Sequence, residues 1–329
     1  MPSSIQKEEF LSVNQKNKIA YYIWSPQEGP VKGIVQISHG MCEYVFRYND
    51  FANFLCDHGF IVCGNDHLGH GASVLPGDPM GFFDYEGGHN LLSQDLKVLT
   101  DIMKARYGNL PYFLLGHSMG SFVARDYMSK FAFGLDGVIL NGTAGPNPLI
   151  DLGISIAESQ ISSKGPKAKS AKLDKLFFSG YNKRIRTPRT KFDWLSRDEE
   201  AVEKYVQDPW CGFLFTTTGF RDEATLLKKV NHSLWAKTIP VTLPVFIFSG
   251  DQDPVGGYGK GVAKVYRQLL RAGVKDVTLK LYEGGRHEML NETNRQEVYM
   301  DVLDWLNSHL PNVYAADISE DVPPSEEAC

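Results

Sequence analysis

The sequence predicts an α/β fold: an eight-stranded, mostly parallel sheet flanked by helices, with one long insertion. Three observations carry this expectation. Short apolar runs alternate with segments of helical period, as in a parallel sheet whose crossovers are helices. One run, Tyr112-Phe113-Leu114-Leu115, enters Gly116-His117-Ser118-Met119-Gly120 and leaves through Phe122, Val123, Ala124 and Tyr127 at helical spacing. About a hundred residues, 143–240, separate the sixth strand from the seventh, too many for a plain connection, so they are expected to form a cap.

Taken in order, Glu8 to Val13 and Lys18 to Trp24 read as a leading hairpin. Strands follow near 33–38, 60–65, 112–116, 136–141, 244–249 and 277–283. Helical stretches fill the gaps at Tyr48 to His58, Leu91 to Tyr107, Met119 to Lys130, Gly257 to Ala272 and Arg295 to His309. No internal repeat is visible. The expected organisation is a core of residues 1–142 and 241–310, a cap of residues 143–240, and a tail of residues 311–329 that is acidic, poor in apolar residues and read as disordered.

Composition narrows the function classes. A chain of 329 residues that is 43% hydrophobic is long enough for one large domain with an insertion. A net charge of −5 argues against a nucleic-acid binder. No run reaches the length of a membrane span, and Met1 to Glu8 lacks the basic and apolar regions of a secretory signal, so a cytoplasmic protein is expected. Cys42, Cys56, Cys63, Cys211 and Cys329 have neither metal-site nor redox spacing and are expected to be free thiols.

The chemistry centres on Gly116 to Gly120. A strand entering G-x-S-x-G with a helix after it is the setting of a nucleophile elbow, a turn so sharp that the serine is strained and its neighbours must lack bulk. Ser118 is thus the candidate nucleophile. A serine hydroxyl needs a base and an orienting acid, and in this setting they follow in the order acid, then histidine. The strand Val245-Phe246-Ile247-Phe248 runs into Ser249-Gly250-Asp251-Gln252-Asp253-Pro254, where Asp251 and Asp253 both suit the acid. The strand Val277 to Tyr282 runs into Glu283-Gly284-Gly285-Arg286-His287-Glu288, which makes His287 the candidate base among nine histidines. His39, His67, His70 and His117 lie beside earlier motifs and are expected to hydrogen-bond locally. Acyl transfer also needs two backbone donors for the oxyanion. The Met119 N–H follows the nucleophile, and the strand 33–38 leads into His39-Gly40-Met41, which offers the Met41 N–H as the second.

Together these residues resemble the monoacylglycerol lipase and lysophospholipase branch of the α/β-hydrolase superfamily. The resemblance extends over roughly residues 10–310. It rests on His39-Gly40-Met41-Cys42-Glu43 with Arg47-Tyr48, on Asn65-Asp66-His67-Leu68-Gly69-His70-Gly71-Ala72-Ser73, on Gly116 to Gly120 and on Tyr282 to His287. In the cap, Ser196-Arg197-Asp198, with Tyr205 and Asp208-Pro209, looks like the family's segment. Because the acid of related enzymes stands three residues after the strand-ending glycine, the resemblance selects Asp253, and Asp251 is left to cap the turn. Glu43 and Arg47 are expected to form an internal ion pair that holds the oxyanion loop; the resemblance places such a pair near the polar end of the pocket, as candidate substrate-binding residues. Two departures imply altered headgroup recognition. Animal monoacylglycerol lipases carry a second histidine shortly after the catalytic one, where this chain has Glu288-Met289-Leu290-Asn291, and a small residue where it has Met41.

The resemblance implies a serine carboxylic ester hydrolase that releases a fatty acid from monoacylglycerol-type, single-chain lipid esters through an acyl-enzyme, with no cofactor and no metal. A lysophospholipase, a short-chain carboxylesterase, a serine peptidase and a non-catalytic receptor remain as alternatives, whereas the usual haloalkane dehalogenase or epoxide hydrolase would need aspartate at position 118. In the cap, Leu149, Ile150, Leu152, Ile154, Ile156, Phe177, Phe178, Phe192, Trp194, Trp210, Phe213 and Phe215 either roof an acyl tunnel or form the cap's own core. A basic run from Lys164 to Lys191, offset within that span by Asp174 alone, is a solvated loop or a contact for an anionic lipid surface.

Overall fold

The computed structural model describes residues 3–311. Eight strands form one sheet in the order β1-β2-β4-β3-β5-β6-β7-β8. They are β1 (Ser4–Leu11), β2 (Lys18–Ser25), β3 (Gly33–Ser38), β4 (Phe60–Asn65), β5 (Tyr112–His117), β6 (Gly137–Asn141), β7 (Val245–Gly250) and β8 (Val277–Tyr282). The β1–β2 and β2–β4 pairings are antiparallel and the remaining five are parallel. The first strand of the leading hairpin starts and ends earlier than its sequence pattern indicated, because β1 is an exposed edge strand with little apolar periodicity to mark its limits, while the second starts at Lys18 as expected. The acidic tail expected at 311–329 lies, after Pro311, outside the described residues.

The central strands read as continuous apolar runs because helices cover both of their faces. Every residue of β3, β4, β5, β6 and β7 is buried. On one face Leu114 and Leu140 pack with α2 (Gly88–Tyr107) and α3 (Met119–Phe131) through Leu92, Leu96, Phe122 and Val123. On the other, Phe113, Leu115 and Ile139 pack with α1 (Asn49–Asp57) and α9 (Arg295–Ser308) through Phe51, Leu55, Val298 and Val302. One more helix, α8 (Lys260–Arg271), joins β7 to β8 and buries Val262, Val265 and Leu269. Alternate side chains of a strand point to opposite faces, so β5 feeds both cores at once.

Between β6 and β7 stand α4 (Ile150–Lys164), α5 (Ala171–Phe178), α6 (Glu199–Gln207) and α7 (Thr217–Val230). The last of these packs on α4, α2 and α3, so the end of the insertion is anchored on the core helices. Helix α6 starts at Asp198, whose side chain accepts the Glu200 and Ala201 N–H groups, the usual device for satisfying a helix start. Cys42, Cys56, Cys63 and Cys211 are buried free thiols, and Cys329 lies outside the described residues.

Candidate active site

Ser118 sits where β5 breaks into α3, at φ 53° and ψ −123°, a strained conformation for a residue with a side chain. The flanking glycines allow it. A Cβ at Gly116 would lie 2.3 Å from the Gly120 carbonyl oxygen, and one at Gly120 would lie 2.0 Å from the Ser38 carbonyl oxygen. The elbow is therefore wedged against the end of β3, which brings the following loop to the serine. A Cβ on Gly40 in that loop would stand 3.1 Å from the Ser118 Cβ.

His287 Nε2 is 2.8 Å from Ser118 Oγ. On the other side of the ring, Nδ1 is 3.0 Å from Asp253 Oδ2, in a bent rather than linear approach that is common before substrate is bound. Asp253 is completely buried and also accepts the Ser249 hydroxyl at 2.9 Å and the Val255 N–H at 2.8 Å. Asp251 faces elsewhere: its Oδ1 accepts the Gly284 N–H at 2.9 Å and so ties the turn after β7 to the loop that carries the histidine. Burial disfavours the charged imidazole of His287, but Asp253, with Glu288 and Glu43 beyond it, outweighs burial and raises the pKa above its ordinary value.

The two N–H groups expected to face an oxyanion flank this serine. Met119 opens α3, where the helix cannot satisfy its own first N–H groups. Met41 follows Gly40, and among the described residues its N–H has no protein acceptor. Three histidines brace this loop. His39 Nδ1 is 2.8 Å from the Gly40 carbonyl oxygen and its Nε2 accepts the His67 N–H at 2.9 Å. His70 Nε2 accepts the Cys42 N–H at 3.3 Å, and His67 Nε2 is 2.9 Å from Ser38 Oγ. Burial pushes His67 down to about 3 and His70 to about 4, so both stay neutral and can accept hydrogen bonds.

Glu43 and Arg47 are in contact, and a third member that sequence reasoning did not identify as their partner, Glu288, completes the group. Glu43 accepts the Gly40 N–H at 2.5 Å and the Tyr48 hydroxyl at 2.8 Å, and it is bonded to Arg47. Arg47 spans both oxygens of Glu288 at 2.8 Å each, and its guanidinium lies 4.8 Å from the Tyr205 ring centroid. Burial alone would raise the Glu288 carboxyl, but Arg47 holds it down to about 2. Glu43 and Glu288 line the same cavity as Ser118, while Arg47 lies behind them and lines a separate outer cleft with Asp50, Asp198 and Arg295. The adjacency of Glu288 to His287 was its only sequence signal.

The segment containing Ser196-Arg197-Asp198 holds the histidine loop. Arg286 donates to the carbonyls of Asp193 and Ser196 at 2.7 and 2.8 Å, the Glu288 N–H donates to the Leu195 carbonyl at 2.7 Å, and Arg197 pairs with Glu292 at 2.9 Å. The Trp194 ring stands 5.1 Å from the His287 ring. Residues 193–198 thus cover and fix the histidine.

Over Ser118 lies a cavity of about 650 Å³. The apolar insertion residues divide between lining and core. Leu149, Ile150, Leu152, Phe177, Phe178 and Phe213 line the cavity, as do Phe192 and Trp194, while Phe215 is fully buried in the core and Trp210 packs edge-on to Tyr44. The basic run divides as well. Lys167 pairs with Asp78, Lys169 donates to the carbonyls of Met80 and Leu214, Arg184 stacks on Tyr258 and Arg189 pairs with Glu199.

A sheet of this order, with a strained serine, a histidine and an aspartate at the carboxyl ends of its strands, defines the α/β-hydrolase class. Residues 29–294 match the family described as Serine aminopeptidase, S33, and the chain belongs to that family. It is 28% identical over 320 residues to a monoacylglycerol lipase of Mycolicibacterium smegmatis, covering 94% of this chain and all of the relative. It is 30% identical over 286 residues to the monoglyceride lipase of Rattus norvegicus, covering 87% of this chain and 84% of the relative. The crystal structure of a carboxyl esterase from Bacillus coagulans superposes with a TM-score of 0.87 at 31% identity, over 93% of this chain and 98% of that one.

Proposed function

We propose that this protein is a serine carboxylic ester hydrolase that releases the fatty acid from monoacylglycerol-type lipid esters. The observation that carries the reading is the Ser118–His287–Asp253 chain of contacts at the floor of a cavity walled by Leu149, Ile150, Leu152, Phe177 and Phe213.

In this reading Ser118 Oγ attacks the ester carbonyl as His287 Nε2 takes its proton, and Asp253 holds the ring and stabilises the imidazolium. The negative charge on the carbonyl oxygen falls between the Met41 and Met119 N–H groups. His287 then gives the proton to the departing glycerol oxygen, which leaves an acyl-enzyme. Water, deprotonated by the same imidazole, attacks the acyl carbon, and Ser118 departs with the proton returned to it. The acyl chain occupies the apolar wall and the headgroup lies toward Glu43, Glu288 and Tyr205. Residues 143–240 act as the cap, and the exposed Leu149, Leu152 and Leu176 with the neighbouring Lys175 meet the lipid surface that holds the substrate. Among the described residues no helix is long and apolar enough to cross a membrane.

The description of the family names an aminopeptidase, so amides form a second arm of the test. Both carboxylates beside the triad, Glu43 and Glu288, are already bound to Arg47. The deciding assay is fatty-acid release from monoacylglycerols of graded chain length, beside lysophosphatidylcholine, short p-nitrophenyl esters and aminoacyl amides, with Ser118→Ala as control. A preference for monoacylglycerols that Ser118→Ala abolishes supports the reading, and faster turnover of any other arm replaces it. Leu152→Asp, which alters the cavity wall as well, should slow hydrolysis of vesicle-borne esters several-fold more than that of dissolved short esters; equal effects on both would remove the lipid-surface contact.

A further inference from the structure

On the α7 side of the cavity stands a carboxyl with no partner among the described residues. Phe220, Glu223, Ala224 and Leu227 share one face of α7 at helical spacing, and all four line the cavity. Phe177 stacks on Phe220 from α5 with ring centroids 5.6 Å apart, so the surroundings of Glu223 are aromatic and aliphatic. Its Oε2 is sealed from solvent and meets no hydrogen-bond donor, which leaves Oε1 as the oxygen that the cavity can reach. Lys175, Lys260 and Lys264 also border the cavity, yet none of them pairs with Glu223 among the described residues. Asp174 on α5 also borders the cavity; burial raises its carboxyl, and the nearby Lys191 offsets part of that shift, a cation that Glu223 lacks among the described residues.

An unsatisfied carboxyl in an apolar wall costs stability, so a plain hydrocarbon pocket would be better served by leucine at this position. Burial pushes the Glu223 carboxyl up to about 8, and in its neutral form it offers one donor and one acceptor, the complement of an alcohol hydroxyl. An alkyl chain in the cavity would leave this group unpaired, whereas a chain bearing a hydroxyl would satisfy it.

We propose that Glu223 is a specificity-determining residue that selects esters of acyl chains carrying a hydroxyl group, by hydrogen-bonding that hydroxyl in the wall of the cavity. The inference rests on the ester-hydrolase reading and names the substrate class of the same site. It is tested with glycerol esters of palmitate and of its positional hydroxy isomers, using the full chain and the variants Glu223→Leu and Glu223→Gln. The wild type should favour at least one isomer over palmitate by about five- to tenfold in kcat/KM, the worth of one net hydrogen bond. Glu223→Gln, which keeps a donor and an acceptor, should retain the preference. Glu223→Leu should lose it, turn over the palmitate ester at least as well as the wild type, and melt no lower. Equal turnover of all isomers by the wild type, a preference that survives Glu223→Leu, or a stronger preference for an amino-substituted chain would overturn this inference alone. Failure to hydrolyse any of the esters would overturn the ester-hydrolase reading with it.

Discussion

Replacing Arg47 with methionine removes the cation and keeps most of the length, and the structure sets the size of the effect. Arg47 bonds Glu43 and spans both oxygens of Glu288 at 2.8 Å, while the three side chains are only 12%, 3% and 5% exposed. Taking one partner from a buried ionic group costs about 3–5 kcal/mol, because the charges left behind cannot regain water. The lower end applies here, since Glu43 keeps the Gly40 N–H and the Tyr48 hydroxyl, and Glu288 keeps the Asn291 amide at 3.0 Å. For a chain of 329 residues about 3 kcal/mol corresponds to a fall in Tm on the order of 4 °C. The same substitution removes the cation that fixes Glu43, and so loosens its hold on the Gly40 turn that carries Met41, and kcat should fall by up to about a hundredfold. Urea unfolding and ester kinetics across pH read both effects. Glu288 is held at about 2, below its ordinary 4.5, so the stability it lends the wild type is complete above about 4.5 and is lost as pH falls toward 2. The gap between wild type and Arg47→Met should therefore be widest at neutral pH and shrink on acidification. A neutral-pH gap under about 1 kcal/mol, or one that ignores pH, would refute the view that a buried ionic group holds the oxyanion loop.

Asp253→Asn should cost about 10⁴ in kcat by removing the group that fixes the His287 tautomer, while Asp251→Asn, which weakens one bond to the Gly284 N–H, should cost less than about tenfold. Parallel kinetics on the two variants decide between them. Because His287 must be neutral to act as base and its pKa is raised above 6.5, kcat/KM should be lost as pH falls through a value above 6.5, and Asp253→Asn should move that limb to lower pH. Gly142→Ala would place a Cβ 3.0 Å from His287 Cε1 and 3.1 Å from Nδ1, at a φ of +62° that strains any side chain. Its kcat should drop by about a hundredfold in a folded protein, as checked by ester kinetics beside circular dichroism.

Much of this molecule was legible because its signals are local. The strands from β3 to β7 are buried throughout and mostly apolar, since helices cover both faces, and β5 runs directly into the elbow, so Ser118 could be read from its own neighbours. Asp253 and His287 were legible because each follows a strand whose carboxyl end must lie at the same edge of a parallel sheet. Glu288 as the partner of Arg47 was not, because it lies 241 residues away in sequence and only the packing of two loops brings them together.

The amino-acid sequence by itself determined the fold class, the position of the strained serine and the strand ends that carry Asp253 and His287, because periodicity and turn chemistry act over a few residues. Only the tertiary structure decided which apolar residues between β6 and β7 line the cavity and which are core, how residues 193–198 clamp the histidine loop, and that Glu223 faces the cavity without a partner among the described residues. Those outcomes depend on where separate elements come to rest, and the face a helix presents to a cavity looks the same in sequence as the face it presents to a core.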